Sequence, residues 1–391
     1  MPGYASTTFA GSGPLAARRD GEMDIHHIDT GRGNCTLIIT PDGTSIMIDA
    51  GSSPAAETSS DLRPNATMRP GQWQGRYAQR HVASGKLDYF VATHIHPDHV
   101  GDLLPDCPQT PNGPYRLTGV ADVDAVLPID TVIDRAYPDF GDTHPPASGF
   151  ADNYLAFLKH RVATGERVEA ALIGSDQQIP AQHASGFKIR FLAANGQVWT
   201  GKGEASTTQR PTLETLAPED RPSENFYSLA LRATYGRFSY FLGGDLNCDT
   251  HDGRLPWADM ESPVARIAGR TEVAAADHHG YFDACGPEFV RALDAQAWVI
   301  PAWDISHPGS AQLQRMLGAW SGKATHDVFA TSLLAANESA NRRFTPLMKS
   351  HRGHVVVRVA PGGDSYKIYV LDSSVEDGNI TAAFGPYHCR A

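Results

Sequence analysis

The sequence predicts an α/β fold whose strands end in polar residues suited to binding metal. Short apolar runs typical of buried strands occur at 24–29, 35–40, 45–49 and 87–92, and a stretch of helical spacing at 73–84 precedes the last of them. A cluster of histidine and aspartate follows that last strand directly. With 391 residues, the chain is long enough to bury a large core.

The predicted elements continue in order along the chain. Pro41-Asp42-Gly43 predicts a hairpin turn between the second and third strands. A helix is expected to begin near Val100, and residues 124–133 hold a further strand-like run. From about 136 to 222 prolines, glycines and polar residues interrupt the apolar pieces, and we expect this stretch to cover the metal edge and shape a substrate pocket. The remaining predictions are helices at 154–158 and 286–294 and strands at 188–192, 226–234, 237–243, 297–300, 354–359 and 366–371.

A metal-binding pattern, H-x-H-x-D-H, lies directly after the fourth predicted strand. In extended chain, residues two apart point the same way, so His94 and His96 can close on one metal ion. Pro97 then turns the backbone, which lets Asp98 and His99 face a second ion. Imidazole and carboxylate are the usual non-thiolate ligands of zinc. The spacing therefore predicts two divalent metal ions side by side.

This run resembles the signature of the metallo-β-lactamase fold superfamily, and three further motifs of that superfamily occur in order. Asp49 ends an early apolar strand and is followed two residues later by a glycine. Asp245 ends the run Phe238–Gly244, whose two last glycines let the backbone approach the metals. The pair His278 and His279 ends another apolar run and offers two candidates for the last ligand.

The resemblance implies a four-layer αβ/βα sandwich, in which two mixed sheets pack face to face with helices outside and the metals lie at one edge. It implies that Asp245 bridges the two ions and that Asp49 orients a ligand histidine from outside the metal shell. We take His278 as the ligand, although His279 could replace it. The implied metal ligands are His94, His96, Asp98, His99, Asp245 and His278.

Finer details resemble the ComEC/Rec2-like branch of the superfamily, and bacterial phosphorylcholine esterases within it. The run Asp29–Asn34 resembles the D-x-G-x-G-[DN] opening of that branch, and His-His-Gly also resembles it. One position departs from the superfamily pattern: Asn225 stands where most members have another histidine for the first metal. The first site would then bind more weakly, unless Glu224 or His251 supplies the missing ligand.

The chemistry implied by the resemblance is hydrolysis by a metal-bound hydroxide, with two divalent ions that are Zn²⁺ or, as an alternative, Mn²⁺. Asp98 would bind metal and orient the hydroxide. His279, if it is not a ligand, or Tyr281 would deliver a proton to the leaving group. A phosphodiester or phosphoester is the first substrate class. Ester, lactone or amide hydrolysis comes second, a nuclease third, and a non-catalytic binding protein on a hydrolase fold last.

Composition limits the partners. The net charge of −11 and the lack of a basic cluster argue against non-specific nucleic-acid binding, so a small-molecule substrate is expected. No apolar run approaches the length of a membrane span, and the composition is typical of a soluble protein. Five widely spaced cysteines predict free thiols. Residues 1–21 are expected to be a disordered lead-in to a single domain at 22–391, and they lack the order of a signal peptide, which leaves cytoplasm and export open.

Overall fold

The computed structural model describes residues 13–180 and 186–390. Its strands are β1 (Met23–His27), β2 (Thr36–Ile39), β3 (Ser45–Ile48), β4 (Leu87–Val91), β5 (Ile129–Asp134), β6 (Arg167–Ala170), β7 (Phe187–Ala194), β8 (Gln197–Trp199), β9 (Ser206–Thr208), β10 (Ala230–Tyr235), β11 (Phe238–Leu242), β12 (Val273–Ala275), β13 (Ala297–Ile300), β14 (Asp327–Ala330), β15 (His354–Val359), β16 (Ser365–Leu371) and β17 (Ile380–His388). Its helices are α1 (Pro70–His81), α2 (Pro97–Val100), α3 (Gly119–Val126), α4 (Gly149–Ala163), α5 (Glu261–Ala268), α6 (Pro287–Leu293), α7 (Ser310–Leu317) and α8 (Ala335–Ala340).

Within these described residues the strands form two sheets. The nine-stranded sheet has the order β17-β16-β15-β1-β2-β3-β4-β5-β6, and the eight-stranded sheet has the order β14-β13-β12-β11-β10-β7-β8-β9. Strands β3 to β6 are parallel neighbours, and so are β11 to β14. Each parallel set therefore brings the carboxyl ends of its strands to one edge of its sheet.

The two sheets pack face to face and are covered by helices on their outer faces. Ile46 and Ile48 of β3 share one buried cluster with Tyr240 of β11, so this cluster lies between the sheets. Met47, on the opposite face of β3, packs in a second cluster with residues of α1, α3 and α4. Phe241 packs in a third cluster with α5, α6 and α7. Because both faces of these strands are covered, β3 and β11 are apolar apart from Ser45 and Ser239. The predicted four-layer αβ/βα sandwich is confirmed.

Helix ends follow ordinary rules of capping. Proline occupies the first position of α1 (Pro70) and of α6 (Pro287), where its missing N–H costs nothing. Helix α4 begins after Ser148, whose side chain accepts a hydrogen bond from the backbone N–H of Ala151. Helix α7 ends at Gly318, which has a φ of 60°, a conformation that favours glycine.

Three predicted elements differ from the structure. The strand expected at 226–234 begins only at Ala230, because its first residues lie in a 3₁₀ turn at Glu224–Tyr227. The helix expected to begin near Val100 instead ends there, because Gly101 adopts a φ of 104° and the chain runs irregularly up to α3. The strand-like run at 124–133 is divided, with its first residues in α3 and the strand beginning only at Ile129. In the last two places apolar residues pack against the sheet from a helix or loop, and pattern alone does not separate these cases.

The stretch at 136–222 contributes to both sheets. It provides α4 and β6 on one side and β7, β8 and β9 on the other, so it crosses from the first sheet to the second. Residues 139–143 and 210–212, together with Asn195, Gln197 and Thr208, line a cavity of about 540 Å³.

The predicted N-terminal lead-in is described only in part. Of the predicted lead-in, residues 1–12 lie outside the described part of the chain. Beyond them Pro14 pairs with Asn379, and Arg18 donates to the backbone oxygen of Glu22 at 2.8 Å, so this portion is anchored to the domain.

All five cysteines fall within the described residues and form no disulfide. Over the same residues, no helix has the length and apolar character needed to cross a membrane.

Candidate metal centre

The candidate site lies where the carboxyl ends of the two parallel strand sets meet. Asp49 follows β3, the run His94–His99 follows β4, Asp245 follows β11, and the pair His278 and His279 follows β12. Loops at the ends of buried strands hold side chains on a rigid base, which limits reorganisation when a ligand binds.

Four ligand atoms come together on one side of the site. Asp98, His99, Asp245 and His279 form a group, hereafter the four-donor group, whose ligand atoms all lie within 4.8 Å of one another. His279 Nε2 is 2.9 Å from Asp98 Oδ2, and His99 Nε2 is 3.1 Å from Asp245 Oδ1. His279 Nε2 is 3.7 Å from Asp245 Oδ2. Tetrahedral zinc with bonds of about 2.0–2.2 Å separates its ligands by about 3.3–3.6 Å, so these spacings suit one ion.

A second, smaller group adjoins the first through Asp245. His94, His96 and Asp245, hereafter the three-donor group, also keep their ligand atoms within 4.8 Å of one another. His94 Nε2 is 3.1 Å from His96 Nδ1 and 3.7 Å from Asp245 Oδ2. The carboxylate of Asp245 thus lies between the two groups and belongs to both.

Hydrogen bonds outside the groups fix the histidine rings. Asp49 Oδ2 accepts from His99 Nδ1 at 2.8 Å and from the hydroxyl of Thr93 at 2.8 Å. The backbone oxygen of Pro301 accepts from His279 Nδ1 at 3.0 Å. Since this carbonyl oxygen can only accept, Nδ1 of His279 carries its hydrogen and Nε2 presents a lone pair to the site. Asp49 therefore lies where an orienting carboxylate was expected.

Several buried polar atoms in and beside the four-donor group make no hydrogen bond. Among the described residues, His99 Nε2, Asp245 Oδ1 and Asn225 Oδ1 are buried side-chain atoms that make no hydrogen bond. Leaving such atoms unpaired is costly, and an ion that takes up their lone pairs removes the cost. The set of imidazole nitrogens and carboxylate oxygens therefore fits a divalent transition metal.

The charges of these groups are strongly coupled. Burial tends to raise the pKa of Asp98 and Asp245, yet the neighbouring His99 and His279 hold the pKa of both carboxyls well below their usual range. Burial opposes protonation of His99, but Asp245 and Asp98 raise its pKa well above the usual value. Burial and the nearby His99 lower the pKa of His94. Both carboxyls are thus ionised over the ordinary pH range, which is the form that binds metal.

The two adjacent histidines, between which the sequence left the last metal ligand open, lie in different parts of the site. His279, assigned to proton transfer, is a member of the four-donor group, whereas His278, assigned to the metal, is in neither group. His278 Nδ1 is 2.6 Å from Asp283 Oδ1, and its Nε2 is 3.3 Å from Asn225 Nδ2 and 3.8 Å from Asp245 Oδ2. Both histidines have positive φ, 44° and 54°, so the backbone turns sharply and sends the two rings in different directions.

The alternatives considered for the missing ligand lie outside both groups. Glu224 Oε1 accepts from the backbone N–H of Ile95 at 2.9 Å and from Arg135 Nε at 2.8 Å, so its oxygens are already engaged. Asn225 follows Glu224 in the same short 3₁₀ turn and contacts His278. His251 lines a cavity of about 190 Å³ and belongs to neither group.

Glycine is required where the metal-bearing loops pass closest to each other. A Cβ atom on Gly51 would lie 2.1 Å from the backbone oxygen of Asp98. Gly244 has a φ of 61°, and a Cβ atom there would lie 2.9 Å from Cβ of Thr93. Any side chain at these positions would push Asp98 or Asp245 away from the histidines.

Aromatic rings pack around the pair of histidines. The ring of Tyr281, a sequence-based candidate for proton transfer, lies 5.1 Å from that of His278. His307 stacks on His279 with 4.5 Å between ring centres and an angle of 16° between planes. Trp303 meets His279 edge to face at 5.9 Å.

One side of the site is open. Asp98 and His278 keep 14% and 17% of their side-chain surface exposed, respectively, whereas the side chains of His99, Asp245 and His279 are almost fully buried. A cavity of about 690 Å³ is lined in part by Asp249, Asp252 and Asp283. Because Asp283 also binds His278, this cavity adjoins the open side. We did not anticipate Asp283 from the sequence, where a lone aspartate in a loop carries no distinguishing pattern.

The comparison with family models agrees with the fold. Residues 28–119 match the family model of the metallo-beta-lactamase superfamily. That span contains Asp49 and His94–His99 but ends before Asp245. A search of curated proteins found no match. Among solved structures, the chain is similar to the crystal structure of unliganded yeast PDE1, with 11% sequence identity, a TM-score of 0.33, and coverage of 85% of this chain and 98% of that one. The ComEC/Rec2-like branch remains a prediction.

Proposed function

We propose that this protein is a metal-dependent hydrolase that acts on a small phosphodiester or phosphoester with two divalent ions, Zn²⁺ or alternatively Mn²⁺. The observation that carries the proposal is that the four-donor and three-donor groups share Asp245. When bound, two neighbouring ions supply Lewis acidity, an activated water, and a clamp for the attacking and leaving oxygens of an in-line displacement. This chemistry serves the in-line displacement of a phosphodiester, and the same activated water can attack an ester, lactone or amide carbonyl, which is the second candidate.

The residues of the chain divide the work around this centre. Asp49 and the backbone of Pro301 hold the rings of His99 and His279 with Nε2 directed inward. Asp98, ionised and partly exposed, faces the open side, where it can orient the attacking water. Rigid placement of these groups before substrate binds lowers the reorganisation that the reaction requires.

The open side is where we propose that substrate binds. His278 is held by Asp283 at 2.6 Å and keeps its Nε2 near Asp245 Oδ2, so this ring can donate to a phosphoryl oxygen. Tyr281, whose ring packs beside His278, remains the candidate for proton delivery to the leaving group. The adjoining cavity mixes the carboxylates of Asp249 and Asp252 with the guanidinium groups of Arg254 and Arg315. It therefore lacks the concentrated basic lining that a polyanion requires, which supports a small substrate.

The test is metal content by elemental analysis together with turnover of bis-p-nitrophenyl phosphate, p-nitrophenyl phosphorylcholine and a simple lactone. We expect about two ions per chain and turnover of the phosphodiesters. His99→Ala should lose activity, and His388→Ala, an exposed histidine away from the site, should keep it. Turnover of the lactone alone would make the protein a carbonyl hydrolase. Equal activity in His99→Ala and wild type would contradict the mechanism.

A further inference from the structure

A buried arginine lies behind the three-donor group. Arg135, at the end of β5, is only 2% exposed. Its Nε donates to Glu224 Oε1 at 2.8 Å, and its Nη2 donates to Glu224 Oε2 at 3.0 Å, so the two side chains form a two-pronged ion pair. This pair is separated by 89 positions in the sequence and joins the end of β5 to the turn before β10.

The same carboxylate reaches the backbone between two metal ligands. Glu224 Oε1 accepts a hydrogen bond from the backbone N–H of Ile95 at 2.9 Å. Ile95 lies between His94 and His96, the two histidines of the three-donor group. A single charged acceptor thus fixes the peptide that sets the separation and direction of both imidazole rings.

On its other side, Arg135 contacts residues of the stretch at 136–222, which crosses from one sheet to the other. Its Nη2 donates to the backbone oxygen of Thr143 at 3.0 Å, and its Nη1 donates to the side-chain oxygen of Asn195. The guanidinium also lies over the rings of Phe140 at 4.8 Å and Tyr227 at 5.2 Å. These contacts hold the guanidinium of Arg135 in one position. Because Glu224 pairs with that guanidinium, its carboxylate is held in place as well.

The energy of a buried ion pair indicates that Arg135 and Glu224 fix the geometry of the site more than they stabilise the fold. Withdrawing two charges from water costs several kcal/mol per ion, and buried pairs therefore add little net stability compared with apolar packing. What the pair does supply is direction, because a two-pronged pair allows one arrangement only. The three-donor group needs such direction, since it has one ligand fewer than its neighbour to hold an ion.

We propose that Glu224 and Arg135 are positioning residues that set the metal affinity of the three-donor group through the Ile95 peptide. This inference rests on the proposed function, because it assumes that His94 and His96 bind an ion. Neither residue touches substrate or metal. Their effect is to hold the two imidazoles at the spacing that a metal requires.

The experiment compares two buried ion pairs of the same design. Asp24 and Arg358 form the matched control, with two-pronged contacts of 2.8 and 2.7 Å in strands that carry no member of either group. The variants are Glu224→Ala, Glu224→Gln and Asp24→Ala. Glu224→Gln keeps an oxygen that can accept from Ile95, although it loses the charge. Stepwise Zn²⁺ affinities are measured by chelator competition, Co²⁺ absorption reports ligand geometry, and urea unfolding reports stability.

We expect Glu224→Ala to weaken binding of the ion in the three-donor group by about 10- to 100-fold and to change the Co²⁺ spectrum of that site. Glu224→Gln should recover part of this affinity while losing stability. Asp24→Ala should lose stability but change both affinities by less than about twofold. Equal loss of affinity in Glu224→Ala and Asp24→Ala, or none in Glu224→Ala, would overturn the proposal. Wild-type protein that binds no metal would overturn the proposed function as well, and so the two failures are distinct.

Discussion

The two donor groups share Asp245 yet differ in how completely they are built. The four-donor group has two imidazoles and two carboxylates, and hydrogen bonds to Asp49 and Pro301 orient its rings. The three-donor group has two imidazoles and the shared carboxylate. The hydroxyl of Thr93 lies 3.2 Å from His94 Nδ1, and Glu224 accepts from the backbone N–H of Ile95 between the two histidines.

The difference indicates an order of filling. In the proposed centre, an ion in the four-donor group would have four protein ligands, whereas an ion in the three-donor group would have three and could also take water or substrate. We therefore expect the first equivalent of metal to bind in the four-donor group and the second to bind more weakly. The open position also makes the weaker site the natural place for a substrate oxygen.

The shared carboxylate gives the largest predicted effect. Asp245→Ala removes a ligand from both groups and leaves His99 Nε2 without its carboxylate neighbour at 3.1 Å. We expect loss of both ions in elemental analysis and a fall of roughly 1,000-fold or more in kcat/KM, equivalent to about 4 kcal/mol of transition-state stabilisation. Retention of even one tightly bound ion would show that the groups are independent.

The next effect separates the two adjacent histidines. His279→Ala should weaken binding of the ion in the four-donor group by more than about 100-fold. Loss of a direct ligand should cost more affinity than loss of a hydrogen-bond partner outside the metal shell, which typically costs about 10- to 100-fold. His278→Ala should leave the first ion bound and lower turnover, since this ring faces the open side. Isothermal titration with Zn²⁺ and steady-state kinetics measure both variants. The opposite pattern would restore His278 as the ligand.

Orientation of His99 gives a smaller effect. Asp49→Asn replaces the carboxyl that accepts from both His99 Nδ1 and Thr93 by a neutral amide. We expect the first ion to bind about 10- to 100-fold more weakly while the fold persists. Asp29→Asn is the matched control, since Asp29 is an equally buried carboxyl with a pKa raised to about 6 by burial and belongs to neither group. Similar losses of affinity in both variants would indicate general destabilisation.

What could be predicted from the sequence is what depends on neighbours along the chain. The strands predicted at 45–49, 87–92 and 237–243 lie within a residue of β3, β4 and β11, because apolar strands buried on both faces stand out from their surroundings. The H-x-H-x-D-H pattern lies entirely within the six residues from His94 to His99, so its spacing can be read directly from the sequence. The metal motif could therefore be located before any tertiary contact was known.

What could not be predicted depends on backbone turns and long-range contacts. The positions of His278 and His279 depend on two successive positive φ angles, which are uncommon for residues other than glycine. The Arg135 and Glu224 pair joins positions 89 residues apart, and no local pattern links them. The helix expected near Val100 was wrong because Gly101 turns the chain there.

The smallest predicted effect tests why the three-donor group is incomplete. Asn225 has a buried side-chain oxygen without a partner and lies beside His278. Asn225→His should tighten binding of the ion in the three-donor group by at least about tenfold. This is the lower end of what a hydrogen-bond partner outside the metal shell contributes to metal affinity. The affinity of the four-donor group should not change. Asn225→Asp offers a ligand of the same size, so it tests the idea without added volume. If neither variant tightens the second ion, position 225 does not face the three-donor group, and its weakness would have to come from the spacing of His94 and His96 themselves.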